Sequence, residues 1–134
     1  MQEKPDYHDV VGEIRAFFDE KKNDLIERGL PRLWIDPGIG FGKSLEHNLD
    51  LMRNLSVFND QAWGLLLGSS RKSWIDKLCN APDPADRLGG SLASAVCSVS
   101  HGAEIIRAHD VQETAQALLV AKKLALSLHS AYND

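Results

Sequence analysis

Three short, unbroken apolar runs, each too short for a helix and each followed by a helix-period segment, constrain this chain more than any other feature. They are Arg32 to Ile35 (RLWI), Trp63 to Leu67 (WGLLL) and the run that opens at Glu104 to Ile106 (EII). A strand covered on both faces reads as continuous apolar sequence, whereas a strand with one wet face alternates. Between them lie segments of helical period. Asp6 to Gly29 sets Val10, Val11, Ile14, Phe17 and Phe18 on one face and stops at Gly29. Ser44 to Phe58 sets Leu45, Leu49, Met52, Leu55 and Phe58 on one face behind a serine cap. A short helix follows from about Lys72 to Cys79, then a helix rich in small residues from Arg87 to His101, and an amphipathic helix from Val111 to Leu128. One helix and three strand–helix units predict an α/β fold, with parallel strands flanked by helices.

In parallel α/β folds the chemistry gathers beyond the carboxyl ends of the strands. The three exits here read DPGIGFGK, GSSRKS and RAHD, and each carries charge: Asp36 and Lys43, Arg71 and Lys72, Arg107 and His109. The first exit looks like two known phosphate loops and is neither. A P-loop needs glycine five residues before Gly42, where Pro37 stands and removes a backbone N–H. A dinucleotide fingerprint counted from Gly38 and Gly40 needs glycine at position 43, which is Lys43. What remains is an acid leading into a loop whose glycines allow close backbone approach. A basic mouth on a chain of net charge -4 predicts an anionic small ligand, with Asp36 accepting hydrogen bonds from N–H donors. Arg71 reads equally as a brace of its own loop or as a cation of the site. Lys43 reads as a solvated loop lysine, and His8, His47 and His129 as surface residues.

Other classes are disfavoured. At 134 residues the chain has one domain's worth of material. Its acidic balance argues against a general nucleic-acid binder or an anionic-membrane binder. It lacks a run of about 18 apolar residues, and MQEKPDYHD has neither the basic start nor the apolar core of a signal sequence, so a cytoplasmic location is expected. Cys79 and Cys97 form no CxxC, and the five histidines are scattered. Both cysteines are read as reduced core residues, and no metal site of side chains is expected.

Taken together, DPGIGFGK (36–43), GSSRKS (68–73) and RAHDVQET (107–114), with RLGGSLASAV (87–96) between the last two, resemble the C-terminal signatures of dihydropteroate synthase. The resemblance runs from about Met1 to Leu128. It implies the C-terminal half of a TIM (β/α)8 barrel, a fold of about eight strands and some 250 residues. Residues 1–134 would then be a single partial barrel of pterin-binding type, holding a last helix of the first half and strands six to eight. The family condenses 6-hydroxymethyl-7,8-dihydropterin pyrophosphate with 4-aminobenzoate, giving dihydropteroate and pyrophosphate.

By matching motif positions, Asp36 resembles the carboxylate that binds the pterin N–H groups. Lys72 resembles the lysine that reaches the pterin and lines the aminobenzoate pocket. Ser73, opening a short helix, resembles the residue receiving the benzoate carboxylate, and Phe41 the aromatic packing on its ring. Arg107 and His109 resemble the pyrophosphate pair, with Arg107 also stacking on the pterin. Lys72 and Arg107 are thus the expected catalytic residues. The resemblance also implies Mg2+, held mainly by pyrophosphate and the family's N-terminal half, and a homodimer built on helices such as 87–101.

This chain departs from the family at Ile39, Trp74 and Ala108, all apolar, and lacks the TPDSF-type segment of the family's first half. A methyltetrahydrofolate methyltransferase-type pterin-binding domain is the nearest rival, but it has no use for the Lys and Ser of SRKS. A truncated, non-catalytic partner is the other. As a half-barrel the isolated chain is expected to be inactive and to oligomerise, bind a complementary half or be poorly soluble, with Leu33, Ile35, Leu66 and Ile106 facing the missing partner.

Overall fold

The computed structural model describes residues 7–30, 33–59 and 63–124. Helix α1 (Val10–Glu27) begins where Asp9 accepts the Gly12 N–H at 3.0 Å, while Glu13 reaches back to the amides of His8 and Asp9. This reciprocal cap satisfies donors that the first turn leaves open. The helix ends at Gly29 (φ +76°), with Leu30 N bonded to Leu25 O and Gly29 N to Ile26 O, the paired closure that favours glycine. Val10 is buried, and Val11, Ile14 and Phe18 pack on the core. Phe17, expected on that face, points outward and is mostly exposed.

Strands β1 (Leu33–Ile35), β2 (Trp63–Leu67) and β3 (Ala103–Ile106) pair in parallel in the order β1-β2-β3. The register sets Leu33 opposite Trp63 and Ile35 opposite Leu65, then Leu65 opposite Ala103 and Leu67 opposite Ile106. A bulge at Glu104 lets Leu66 pair with Ile105.

One face of the sheet, carrying Ile35, Leu65, Leu67 and Ala103, is sealed by the chain's own helices, and Leu33 and Ile106 pack against the same cluster. The expectation that Leu33, Ile35 and Ile106 face a missing partner is therefore corrected. Side chains alternate across a strand, so it is Trp34, Leu66 and Ile105 that share the other face. Trp34 is 46% and Ile105 38% exposed. The Trp34 indole lies across Gly64, where a Cβ would collide with it, and donates to Glu104 at 3.2 Å.

The segment from Ser44 to Phe58 presents the expected face but is not one helix. Helix α2 (Leu45–Arg53), capped by Ser44, stops at Asn54, whose amide side chain bonds Asp50 O at 2.8 Å, and a 3₁₀ turn (Leu55–Phe58) follows. A side chain that takes up a helix carbonyl competes with the backbone ladder and ends it.

Helix α3 (Ser73–Cys79) and a 3₁₀ turn (Pro84–Arg87) precede α4 (Leu88–Ser100). The small residues of α4 have internal reasons. A Cβ on Gly90 would strike Ile75 of α3, and buried Ser91, Ser94 and Ser98 return their hydroxyls to carbonyls of Arg87, Ser91 and Ser94. Cys79 is exposed and Cys97 half-buried, both free thiols, so the core reading fails for Cys79, the last residue of α3. Helix α5 (Val111–Lys123) closes the described chain; its expected extension to Leu128, and the separate surface reading of His129, lie outside the described residues.

Candidate active site at the strand exits

The three exits meet. Phe41 from the first, Gly68, Ser70, Arg71 and Lys72 from the second, and Arg107, Ala108 and His109 from the third line one open cleft of about 560 Å³, closed on one side by Pro84. Asp36 and Ser73 stand outside this lining. Asp36 sits close enough to act electrostatically on Lys72 and Lys43. Its Oδ1 accepts the Gly38 N–H at 2.8 Å, a local turn that a short acid favours after a strand. Ser73 is an exposed first residue of α3 behind Lys72.

The glycine loop is built around two lysines. Gly38, Gly40 and Gly42 all have φ between +64° and +81°, a region costly for residues with a Cβ. At Gly40 the chain also needs the missing side chain, because a Cβ would lie 2.6 Å from Lys72 Cδ. Lys72 thus runs over Gly40, donates its ammonium to the Ile39 carbonyl and sits 4.2 Å from the centre of the Phe41 ring. Ile39 itself is fully buried and anchors the loop. Phe41 is 56% exposed, a ring presented at the cleft edge. Lys43 is not solvated as expected. Half-buried, it donates to Gly38 O at 2.9 Å and lies over the Tyr7 ring, tying the loop to the start of α1. The His47 ring packs edge-on against Tyr7 with Nδ1 buried, so His47 is no plain surface residue; His8 is exposed.

Burial lowers the Lys72 pKa from its ordinary 10.5, with Arg107 and Lys43 lowering it further and Asp36 opposing them. The folded chain therefore releases this proton at a lower pH than the unfolded chain. Between the two midpoints the unfolded state binds more protons, so the contribution to stability rises with pH there. A 13Cε titration should place the Lys72 midpoint below 10.5. A midpoint at or above that value contradicts the described environment.

Arg71 resolves as a brace. It adopts φ +57°, and its Nε and Nη2 grip Asp110 at 2.9 and 2.5 Å, joining the second exit to the third. This paired hydrogen bonding holds the Asp110 carboxyl below its ordinary range. The Arg71 N–H donates to Ser91 Oγ, and the Arg71 carbonyl accepts from the guanidinium of Arg87, a buried residue that also serves the Ala81 and Pro82 carbonyls. The Arg107 guanidinium lies over Gly68, where a Cβ would come 2.5 Å from Nη2. His109 hangs on Ser70, whose Oγ meets its amide at 3.3 Å and its Nδ1 at 3.1 Å.

Sequence reasoning missed Ser70, Arg87, Asp110 and Asn48. Only the flanking of charges by serine in SSRKS hinted at the first. No group of three or more His, Cys, Asp or Glu side chains placed to hold a metal occurs among the described residues, and none of their helices is long and apolar enough to cross a membrane.

A basic cleft beyond the carboxyl ends of parallel strands, edged by the Phe41 ring of the glycine loop, lies where barrel enzymes carry their sites. The chain belongs to the pterin binding enzyme family, whose profile matches residues 1–109. It is 43% identical over 133 residues to dihydropteroate synthase of Neisseria meningitidis serogroup B, covering 96% of this chain and 47% of that protein. To dihydropteroate synthase of Escherichia coli K12 it is 45% identical over 124 residues, covering 91% of this chain and 44% of that one. The solved Xanthomonas albilineans dihydropteroate synthase in complex with 7,8-dihydropteroate superposes with a TM-score of 0.87 at 35% identity, over 94% of this chain and 49% of its own. The fold is accordingly part of a TIM barrel. The chain spans a little under half the length of the curated relatives it matches.

Proposed function

We propose that this chain supplies the cation-bearing half of a dihydropteroate synthase site. In the complete barrel, 4-aminobenzoate would attack the methylene of 6-hydroxymethyl-7,8-dihydropterin pyrophosphate. The arylamine nitrogen forms the new C–N bond as the C–O bond breaks; pyrophosphate leaves with the bonding pair, and the amine sheds a proton. The observation that carries this reading is Lys72, poised between the glycine loop with its Phe41 ring and the wall that holds Arg107 and His109. Arg107 and His109 take the departing pyrophosphate, whose charge grows as the bond breaks, so fixed cations favour the transition state over bound substrate. Asp36 keeps one carboxylate oxygen without a hydrogen-bond partner among the described residues, as an acceptor for pterin N–H donors needs. Phe41 and Lys72 would flank the aminobenzoate ring, and Ser73 its carboxylate.

The two relatives in sequence bear the synthase name rather than a methyltransferase one. Residues 1–134 would act as one partial-barrel unit, cytoplasmic, assembled as a homodimer or with a complementary half. Magnesium would be held mainly by the pyrophosphate and by the family's N-terminal half, and the roles above do not run through it.

Calorimetric titration with pyrophosphate tests the reading. The chain should bind it, and Arg107→Ala should weaken binding by about 10- to 100-fold, the worth of charged hydrogen bonds lost. Binding indifferent to Arg107 would sink the assignment of the third exit.

A further inference from the structure

Asn48 is a polar residue on α2 and is 2% exposed, with no place in the roles above. A buried carboxamide must satisfy both ends or it costs stability. Its Oδ1 accepts the Gly40 N–H at 2.6 Å. Its Nδ2 donates to the Ser44 carbonyl at 2.6 Å and approaches the Lys43 carbonyl at 3.4 Å. The donor on Gly40 and the acceptors on Ser44 and Lys43 fix which way the amide points. Its own backbone N–H bonds Ser44 O as the first rung of α2. Asn48 therefore joins the middle of the glycine loop to the cap of the following helix, across eight residues of sequence.

Gly40 is the residue over which the Lys72 side chain runs, and its neighbours in sequence are the two that hold the Lys72 ammonium, Ile39 by its carbonyl and Phe41 by its ring. We propose that Asn48 is a positioning residue: its carboxamide clamps Gly40 and so sets where Ile39 and Phe41 hold the Lys72 ammonium. The importance of that position rests on the function proposed for Lys72; the clamp itself does not. A residue that merely filled core volume would be replaceable by leucine, which is close in size but has no polar end. The clamp needs an acceptor for Gly40 and a donor for Ser44 at once.

The clamp is read on the isotope-labelled chain, in the assembly it forms in solution. The Gly40 amide should exchange with deuterium about 10- to 100-fold slower than an unstructured peptide amide, and Asn48→Leu should remove that protection while β2 keeps its own. The Lys72 CεH2 protons, shifted upfield by the Phe41 ring, should move toward free-lysine values in Asn48→Leu. Asn48→Asp, which keeps the acceptor but loses the donor to Ser44, should fall between the two. If Asn48→Leu fails to fold, wild-type exchange decides, because a Gly40 amide exchanging as an unstructured one overturns the clamp. Unchanged Lys72 shifts in a folded Asn48→Leu chain overturn it as well. In the complete barrel the same variant should lower kcat/KM for 4-aminobenzoate. Moved Lys72 shifts with unchanged kinetics uphold the clamp and overturn the function assigned to Lys72.

Discussion

Given both substrates, the 134-residue chain alone should form no dihydropteroate above background, and light scattering should find it larger than a monomer. Its sheet has three strands, with the outer edges of β1 and β3 unpaired by strands among the described residues. A free parallel edge is a template for another chain. Trp34 and Ile105 add half-exposed apolar surface to the face turned from the helices. Closing a barrel removes both liabilities, and a TIM barrel closes with eight strands. The relatives supply more than twice this chain's matched length. The cleft is open, and apart from Pro84 its lining comes from the three exits. Co-expression with an N-terminal half from a relative should therefore yield a soluble complex and restore turnover. A stable monomer that turns over like the relatives contradicts the half-barrel argument.

In such a complex, Lys72→Ala should reduce turnover by about 10²- to 10³-fold, the usual cost of removing one fixed donor from a site of developing charge. Stability should change little. Lys72 is only half-buried, and the hydrogen bond of its ammonium to the Ile39 carbonyl is worth roughly 1 kcal/mol. Lys72→Arg should not rescue, because a planar fork cannot occupy the point between carbonyl and ring that an ammonium fills. The paired measurement decides. Turnover and melting temperature falling together would make Lys72 a structural residue, whereas a kinetic loss at constant melting temperature supports its place in the reaction.

Much of the architecture was legible in the chain itself. WGLLL reads as a strand because it is a continuous apolar run too short for a helix, and Gly29 ends α1 because only its conformation closes the helix so cheaply. The exits converge as the parallel layout requires, and Phe41, Lys72, Arg107 and His109 line one cleft. These are consequences of local conformational preference and of hydrophobic period, both carried by neighbouring residues.

Partners of single side chains were not legible, because they come from distant loops. Arg71 could be either brace or site cation until Asp110, 39 residues away, took up its guanidinium. Lys72 finds the Ile39 carbonyl across 33 residues. Lys43 looked solvated because sequence does not show that α1 brings Tyr7 over it. In sequence Asn48 is one more polar residue of an amphipathic helix, and only the fold of the glycine loop back onto α2 buries it. Likewise Leu33, Ile35 and Ile106 look no different from Trp34 and Ile105 in an apolar run. Sequence alone determined that parallel strands would end in a charged mouth, since period and turn chemistry act within a few residues. Tertiary structure decided which strand face is sealed and which charges brace rather than serve the cleft, since burial and hydrogen bonding depend on what the chain brings back from far along its length.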